Sequence, residues 1–162
     1  MAVDTQRGLL AAALGTIVFV LLVPGTAFVL IPYLMTRWRL AQPLLGWSAT
    51  RWLGIALLVV ALPIWVLFNW RFVVEGHGTP APVAPPERLV VGGPFRLVRN
   101  PRYVAGISLI AGQALLFGSP PLLWYAAGLA VGFHLFVVFY EEPALHRCYG
   151  AEYETYCRAV PR

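Results

Sequence analysis

Two short stretches of this chain bring together residue types that do chemistry. Arg99-Asn100-Pro101-Arg102-Tyr103 places two guanidinium groups, an amide and a phenol around a proline, and Glu141-Glu142-Pro143 sets adjacent carboxylates at the end of an apolar run. Asn is a strong helix N-cap and Pro suits the first helical position, so Asn100-Pro101 predicts a helix start. On a purely structural reading it is a start signal and nothing more. On a functional reading the free N–H groups and partial positive charge of that helix end, reinforced by Arg99, attract an anion. Pro143 cannot donate to the Phe139 carbonyl, which predicts a local bend and a free acceptor. Ionisable side chains at a membrane boundary are costly unless paired or functional. The two stretches therefore predict either an Arg–Glu ion pair that locks a hairpin, or a site with a cationic and an anionic patch side by side. A zwitterionic ligand with an extra positive centre would suit the second.

The elements that must position these residues are apolar helices. No charged side chain occurs from Gly8 to Thr36, from Trp52 to Trp70, or from Val104 to Tyr140. Crossing about 30 Å of hydrocarbon takes roughly 20 apolar residues. The third tract is too long for one crossing and is broken by Gly118-Ser119-Pro120-Pro121, a tight-turn signal. The expected fold is an all-α polytopic membrane protein, a single domain over residues 1–162 with four spans near 8–35, 50–73, 101–118 and 121–146. Residues 1–75 carry the N-terminal spans and 76–162 the catalytic region. The first tract is too long for a signal-peptide core and reads as a retained span, kinked at Pro24-Gly25. All basic residues are Arg, and most fall at the N-terminus, in the second loop and in the tail. Four spans put those three segments on one side, which should be cytoplasmic. The positive charge is thus mainly topological and predicts no nucleic-acid partner. Cys148 and Cys157 lie in that tail without a CxxC spacing, so two free thiols are expected.

The second loop, Glu75 to Arg102, is rich in Gly and Pro, and Leu89-Val90-Val91 within it predicts a segment packed back onto the membrane domain. Gly150 should end the fourth helix. A short terminal helix follows, with Tyr153, Tyr156 and Val160 on one face. GGPFRLVRNPRYVAG followed by EEPALHRCYGAEYETYCRAVPR resembles the C-terminal signature of the isoprenylcysteine carboxyl methyltransferase family and its phospholipid methyltransferase relatives. That pattern is Arg-His/Asn-Pro-x-Tyr, an apolar hairpin, Glu-Glu, and an aromatic-Gly-x-x-Tyr-x-x-Tyr tail ending in Val-Pro. It covers about residues 76–162.

The resemblance implies an S-adenosylmethionine-dependent methyltransferase whose acceptor, a carboxylate or an amine, approaches from the bilayer. It implies a cofactor pocket of Leu89, Val90, Phe95, Asn100, Pro101, Tyr103 and Glu141, with Arg99, Tyr103 and Glu142 as catalytic residues. Glu141 would meet the cofactor's ammonium group, and Glu142 would hold Arg99 or the loop. It requires no metal, and it implies a cell (inner) membrane of bacterial or archaeal type with the site facing the cytoplasm. The Gly-rich turn of soluble methyltransferases is missing, since no βαβ unit surrounds Gly76-x-Gly78. Asn100 stands where the eukaryotic motif has His, and Phe136-Val137-Val138-Phe139 lacks the basic residue that eukaryotic prenylcysteine enzymes carry there. His134 lies seven residues before Glu141, on the same face of a regular helix and about 10 Å deeper. It reads either as a hydrogen-bonded core histidine or as a wall of the lipid-substrate tunnel. His77 and His146 fall at the cytoplasmic edge. Three other readings compete: an NADPH-dependent membrane reductase related to sterol reductases, a haem or quinone protein, and a non-catalytic scaffold. The acidic pair argues against the first. With His134 alone at depth, bis-His haem ligation is disfavoured.

Overall fold

The computed structural model describes Val18, residues 21–75 and residues 93–161. The predicted loop residues Leu89 and Val90, His77, and residues 8–17, 19 and 20 of the first apolar tract lie outside the described residues. What is described is all α: α1 (Thr26–Thr36), α2 (Ala49–Glu75), α3 (Pro101–Phe117), α4 (Pro120–Tyr149) and α5 (Ala151–Ala159). Short 3-10 turns at Leu44–Gly46 and Gly93–Arg96 precede α2 and α3.

Two of these helices, α2 and α4, contain apolar stretches long enough to cross a membrane: Ala49–Leu67 and the 30 residues Pro120–Tyr149. Their apolar side chains point largely outward, with Trp52, Val59, Trp124 and Phe139 all exposed. A soluble fold would bury such a surface; a bilayer solvates it. Among the described residues, these are the two of the four predicted spans that meet the length and composition of a crossing. At 17 residues, α3 is about 25 Å long. It lies between α2 and α4 and contributes more buried residues than any other described helix, with Ile110 and Ala114 fully buried against Leu122 and Ala126 of α4.

Small residues let α3 approach α2. A Cβ on Gly54 would sit 2.7 Å from the Gly112 carbonyl oxygen, so the two backbones touch where neither residue has a side chain. The predicted turn after α3 forms at Gly118, whose φ of 65° is left-handed and cheap only for glycine. A Cβ there would also collide with the Gln42 carbonyl.

The kink predicted at Pro24-Gly25 takes a specific form. Residues Thr26–Leu30 make a π-turn, in which the Ile31 N–H bonds to the Thr26 carbonyl. That register leaves the Ala27 carbonyl without its α-helical donor, while Pro32 removes the donor to Phe28. Side chains of the hairpin satisfy both: Tyr125 Oη donates to Ala27 O at 3.1 Å, and Gln113 Nε2 to Phe28 O at 2.9 Å. Gln113→Leu should therefore orphan the Phe28 carbonyl and cost about 1–3 kcal/mol. Thermal unfolding in detergent would check this, and an unchanged midpoint would contradict it.

Candidate active site

The helix start predicted at Asn100-Pro101 is where α3 begins. Pro101 is its first residue, and the Asn100 carbonyl accepts the first turn's bond from Val104 N at 3.3 Å. The Asn100 side chain makes no capping hydrogen bond, contrary to the usual role of asparagine there. Its φ of −125° and ψ of 56° do not place the amide over the first N–H groups.

The acidic pair reaches this helix start from α4. Val137–Glu141 is a π-turn, with the Glu142 N–H bonded to the Val137 carbonyl five residues back. This is the form taken by the bend expected from Pro143: a wider turn accommodates the missing donor. It adds one residue to the turn and splits the two glutamates between different partners. Tyr103 Oη donates to Glu141 Oε2 at 2.8 Å, while Arg99 Nη1 donates to Glu142 Oε1 at 3.1 Å. Glu142 and Arg99 are each mostly buried, at 13% and 15% side-chain exposure, so water screens this pair weakly.

Around Tyr103 the site is aromatic. Its ring packs on Phe133 with centroids 4.8 Å apart and edge-on to Phe136 at 6.5 Å, and Phe136 stacks on Tyr140. Arg102, which the sequence reading left without a role, donates from Nη2 to Tyr103 Oη at 2.7 Å. Its guanidinium also lies 4.8 Å from the Tyr103 ring centroid. The phenol thus accepts from a cation and donates to a carboxylate, which holds its orientation.

The tail closes the site from behind. Arg99 Nη1 also donates to Cys157 Sγ at 3.1 Å, and the Arg99 backbone N–H donates to the Pro161 carbonyl at 2.9 Å. Tyr156 Oη donates to the Phe95 carbonyl at 2.8 Å, tying α5 to the 3-10 turn before α3. The predicted α5 face packs inward, with Tyr153 and Val160 buried. Burial pushes the Tyr156 and Tyr153 phenols above the ordinary tyrosine range, so both stay protonated near neutral pH. Both cysteines are free thiols, as expected. The quoted tail pattern contained Tyr153, Tyr156 and Val160-Pro161, but nothing in their spacing pointed to Arg99 or Phe95. Tyr156→Phe should loosen the Phe95 segment and lower stability by about 1 kcal/mol. Faster protease cleavage within residues 93–99 would reveal it, and wild-type cleavage kinetics would rule it out.

The predicted site residues Phe95, Arg99, Asn100, Pro101, Tyr103, Glu141 and Glu142 therefore cluster around the start of α3. His134 does not join them. It is exposed on the outer surface of α4, so the core-histidine reading fails. The intervening π-turn rotates it by about 100° from the face it would share with Glu141 in a regular helix. His146 is exposed, with its ring edge-on to Tyr153 at 4.8 Å.

Fold and site together define an all-α integral membrane protein with a paired-charge cluster where its core helix begins. A family model described as phospholipid methyltransferase matches residues 49–152, more than half of the chain, and the chain belongs to that family. Enzymes of the family use S-adenosylmethionine. Among curated proteins, the chain is similar to a phosphatidylethanolamine N-methyltransferase from Phaeosphaeria nodorum. Identity is 33% over 66 residues, which is 41% of this chain and 7% of that relative, so the chain spans a small part of the relative's length. No solved structure matches. The donor set here fits S-adenosylmethionine: a carboxylate for its ammonium group, an uncommitted asparagine amide, and aromatic faces that attract a cationic sulfur.

Proposed function

We propose that this chain methylates the amine headgroup of a phospholipid at the membrane surface, with the site on the cytoplasmic side of a four-span arrangement. The observation that supports this reading best is the Tyr103–Glu141 hydrogen bond at the first turn of α3, beside the Arg99–Glu142 pair, in a chain of the phospholipid methyltransferase family. The relative's name contributes the amine acceptor. When bound, S-adenosylmethionine supplies an electrophilic methyl on a sulfonium.

Every other task falls to the protein. Glu141, oriented by Tyr103, pairs with the cofactor's ammonium group. Asn100 and Phe95 line the pocket together with Pro101. Arg99 and Glu142 hold the start of α3 to α4, so that methyl and acceptor are kept in line and water is excluded. An amine must shed a proton before it attacks. The isoprenylcysteine subtype methylates a carboxylate and needs no base. The turn from Phe136 to Phe139 has no cation to meet such a substrate, which favours the amine. The acidic pair and the family match likewise favour a sulfonium cofactor over NADPH.

Calorimetry on detergent-purified protein with S-adenosylhomocysteine and with NADPH tests the cofactor. Transfer of labelled methyl to phosphatidylethanolamine in vesicles tests the acceptor. Folded protein that ignores S-adenosylhomocysteine would remove the methyltransferase reading. Transfer to a prenylcysteine but not to phosphatidylethanolamine would replace the amine by a carboxylate.

A further inference from the structure

Three arginines lie far from the charged cluster: Arg37 and Arg39 after α1, and Arg51 in the first turn of α2. Their loop is fastened to the other end of α3, where the Ala41 N–H donates to the carbonyl of Phe117, the last residue of that helix, at 3.1 Å. The 17 residues of α3 put this end about 25 Å from the cluster. From Thr5 to Val74 the sequence has no Asp or Glu, and the neighbouring turn at Gly118–Pro121 has no charged residue. Positive charge therefore gathers here with no carboxylate beside it.

Arg51 is committed to structure, since its Nη2 donates to the Ala41 carbonyl and holds the loop to α2. Arg37 and Arg39 are exposed. α1 ends with Arg37 and Trp38 both in left-handed backbone, at φ of 49° and 51°, a conformation costly for residues with a Cβ. Thr36 braces that turn, its Oγ1 accepting from the Trp38 N–H at 3.1 Å. The Arg37 guanidinium rests 5.6 Å from the Tyr33 ring centroid, and Trp38 packs edge-on to the same ring. Among the described residues the Arg39 guanidinium has no partner. Between the arginines stand apolar side chains that the fold leaves uncovered: Leu45 at 88%, Trp47 at 70% and Trp52 at 72% exposure.

We propose that residues 37–52 form a docking surface for the headgroup of an anionic phospholipid, in the leaflet opposite the charged cluster. The proposal goes beyond the methyl-transfer reading and does not depend on it. Charge complementarity selects the headgroup. The cluster pairs Arg99 with Glu142 and so offers both signs. This loop offers one sign only, with nothing to receive a headgroup ammonium. A phosphodiester that carries no cation of its own matches it, and guanidinium forks suit phosphate oxygens. The apolar side chains select a lipid over an acidic protein segment. Indole rings settle at the headgroup level of a bilayer, and the exposed wall of α2 continues from Trp52 to Val59. An acidic peptide would satisfy the arginines and leave Leu45, Trp47 and Trp52 in water. A phospholipid covers both, headgroup on the guanidinium groups and acyl chains along the apolar wall.

The test places the full-length protein in phosphatidylcholine vesicles with a trace of phosphatidylglycerol bearing a diazirine at the glycerol end of one acyl chain. A phosphatidylcholine with the same label serves as reference. After illumination, adducts on residues 33–52 should favour phosphatidylglycerol by roughly 25-fold at low salt, about fivefold for each of Arg37 and Arg39. Arg37→Gln and Arg39→Gln should each lower that preference about fivefold, and the double variant should abolish it. Raising the salt to about 0.5 M should shrink it, because exposed charges are screened. Arg39→Lys should keep most of it, which separates lost charge from a disturbed loop. S-adenosylhomocysteine binding should stay at wild type in every variant.

Equal labelling by the two lipids would reduce the loop to an uncharged interfacial anchor and overturn the proposal. A phosphatidylglycerol preference that survives the double variant would do the same, since its cation would lie elsewhere. Lipid adducts missing from residues 33–52 would give this face to a second copy or to an acidic protein, and would also overturn it. None of these outcomes touches the methyl-transfer reading, which S-adenosylhomocysteine binding decides separately.

Discussion

Glu141→Gln should weaken S-adenosylhomocysteine binding by roughly 10- to 150-fold, the equivalent of losing a charged hydrogen bond worth about 1.5–3 kcal/mol. The geometry explains why this is the most sensitive position. Tyr103 Oη, itself held by Arg102, points at Glu141 Oε2. The carboxylate is thereby oriented before any ligand arrives, so little ordering entropy is lost on binding. Glutamine keeps the volume but removes the charge, and its amide group would face the ligand's ammonium donor to donor in one of its two orientations. Tyr103→Phe should be milder. Its ring still packs on Phe133 at 4.8 Å, and only the bond that aims the carboxylate disappears. Calorimetry of the two variants beside wild type reads both effects. Wild-type affinity in Glu141→Gln would mean that the cofactor's ammonium group is held elsewhere.

Arg99→Ala should be the most destabilising single change at the site, at about 3 kcal/mol or more. Glu142 is 13% exposed, and removing the guanidinium leaves its carboxylate largely buried with its 3.1 Å partner gone. The contact to Cys157 Sγ goes with it, so α5 loses one of its ties to the start of α3. The backbone bond from Arg99 N to Pro161 O is unaffected, which should keep the tail docked. Arg99→Ala combined with Glu142→Ala should recover part of the loss, because no charge is then stranded. Thermal inactivation in detergent orders these variants. A double variant less stable than Arg99→Ala alone would show that the stranded carboxylate is not the source of the loss.

Much of the fold is legible in local patterns, because the chemistry that sets it is local. Uncharged tracts mark apolar helices whichever neighbours they meet. A glycine before Ser-Pro-Pro closes α3, since φ of 65° favours glycine in any context. Asn-Pro opens α3 because proline needs no hydrogen-bond donor in a first turn. Arg99, Tyr103 and the acidic pair could be named as one cluster from the hairpin alone, for a tight turn returns its two ends to the same level. Helix phase is another matter, because it depends on how each chain break is accommodated in three dimensions. Pro143 announces a disturbance, but the helix could have kinked or frayed; packing against α3 selects a π-turn. That extra residue sends Glu141 to Tyr103 and Glu142 to Arg99, and turns His134 outward. The grip of Cys157, Tyr156 and Pro161 on the segment before α3 was equally invisible, since it joins residues about sixty positions apart whose types predict no partner. Composition and local stereochemistry thus suffice for the helices and the level at which charge gathers. Which carboxylate meets which cation is set by packing, because a one-residue change of helical register moves a side chain by about 100°.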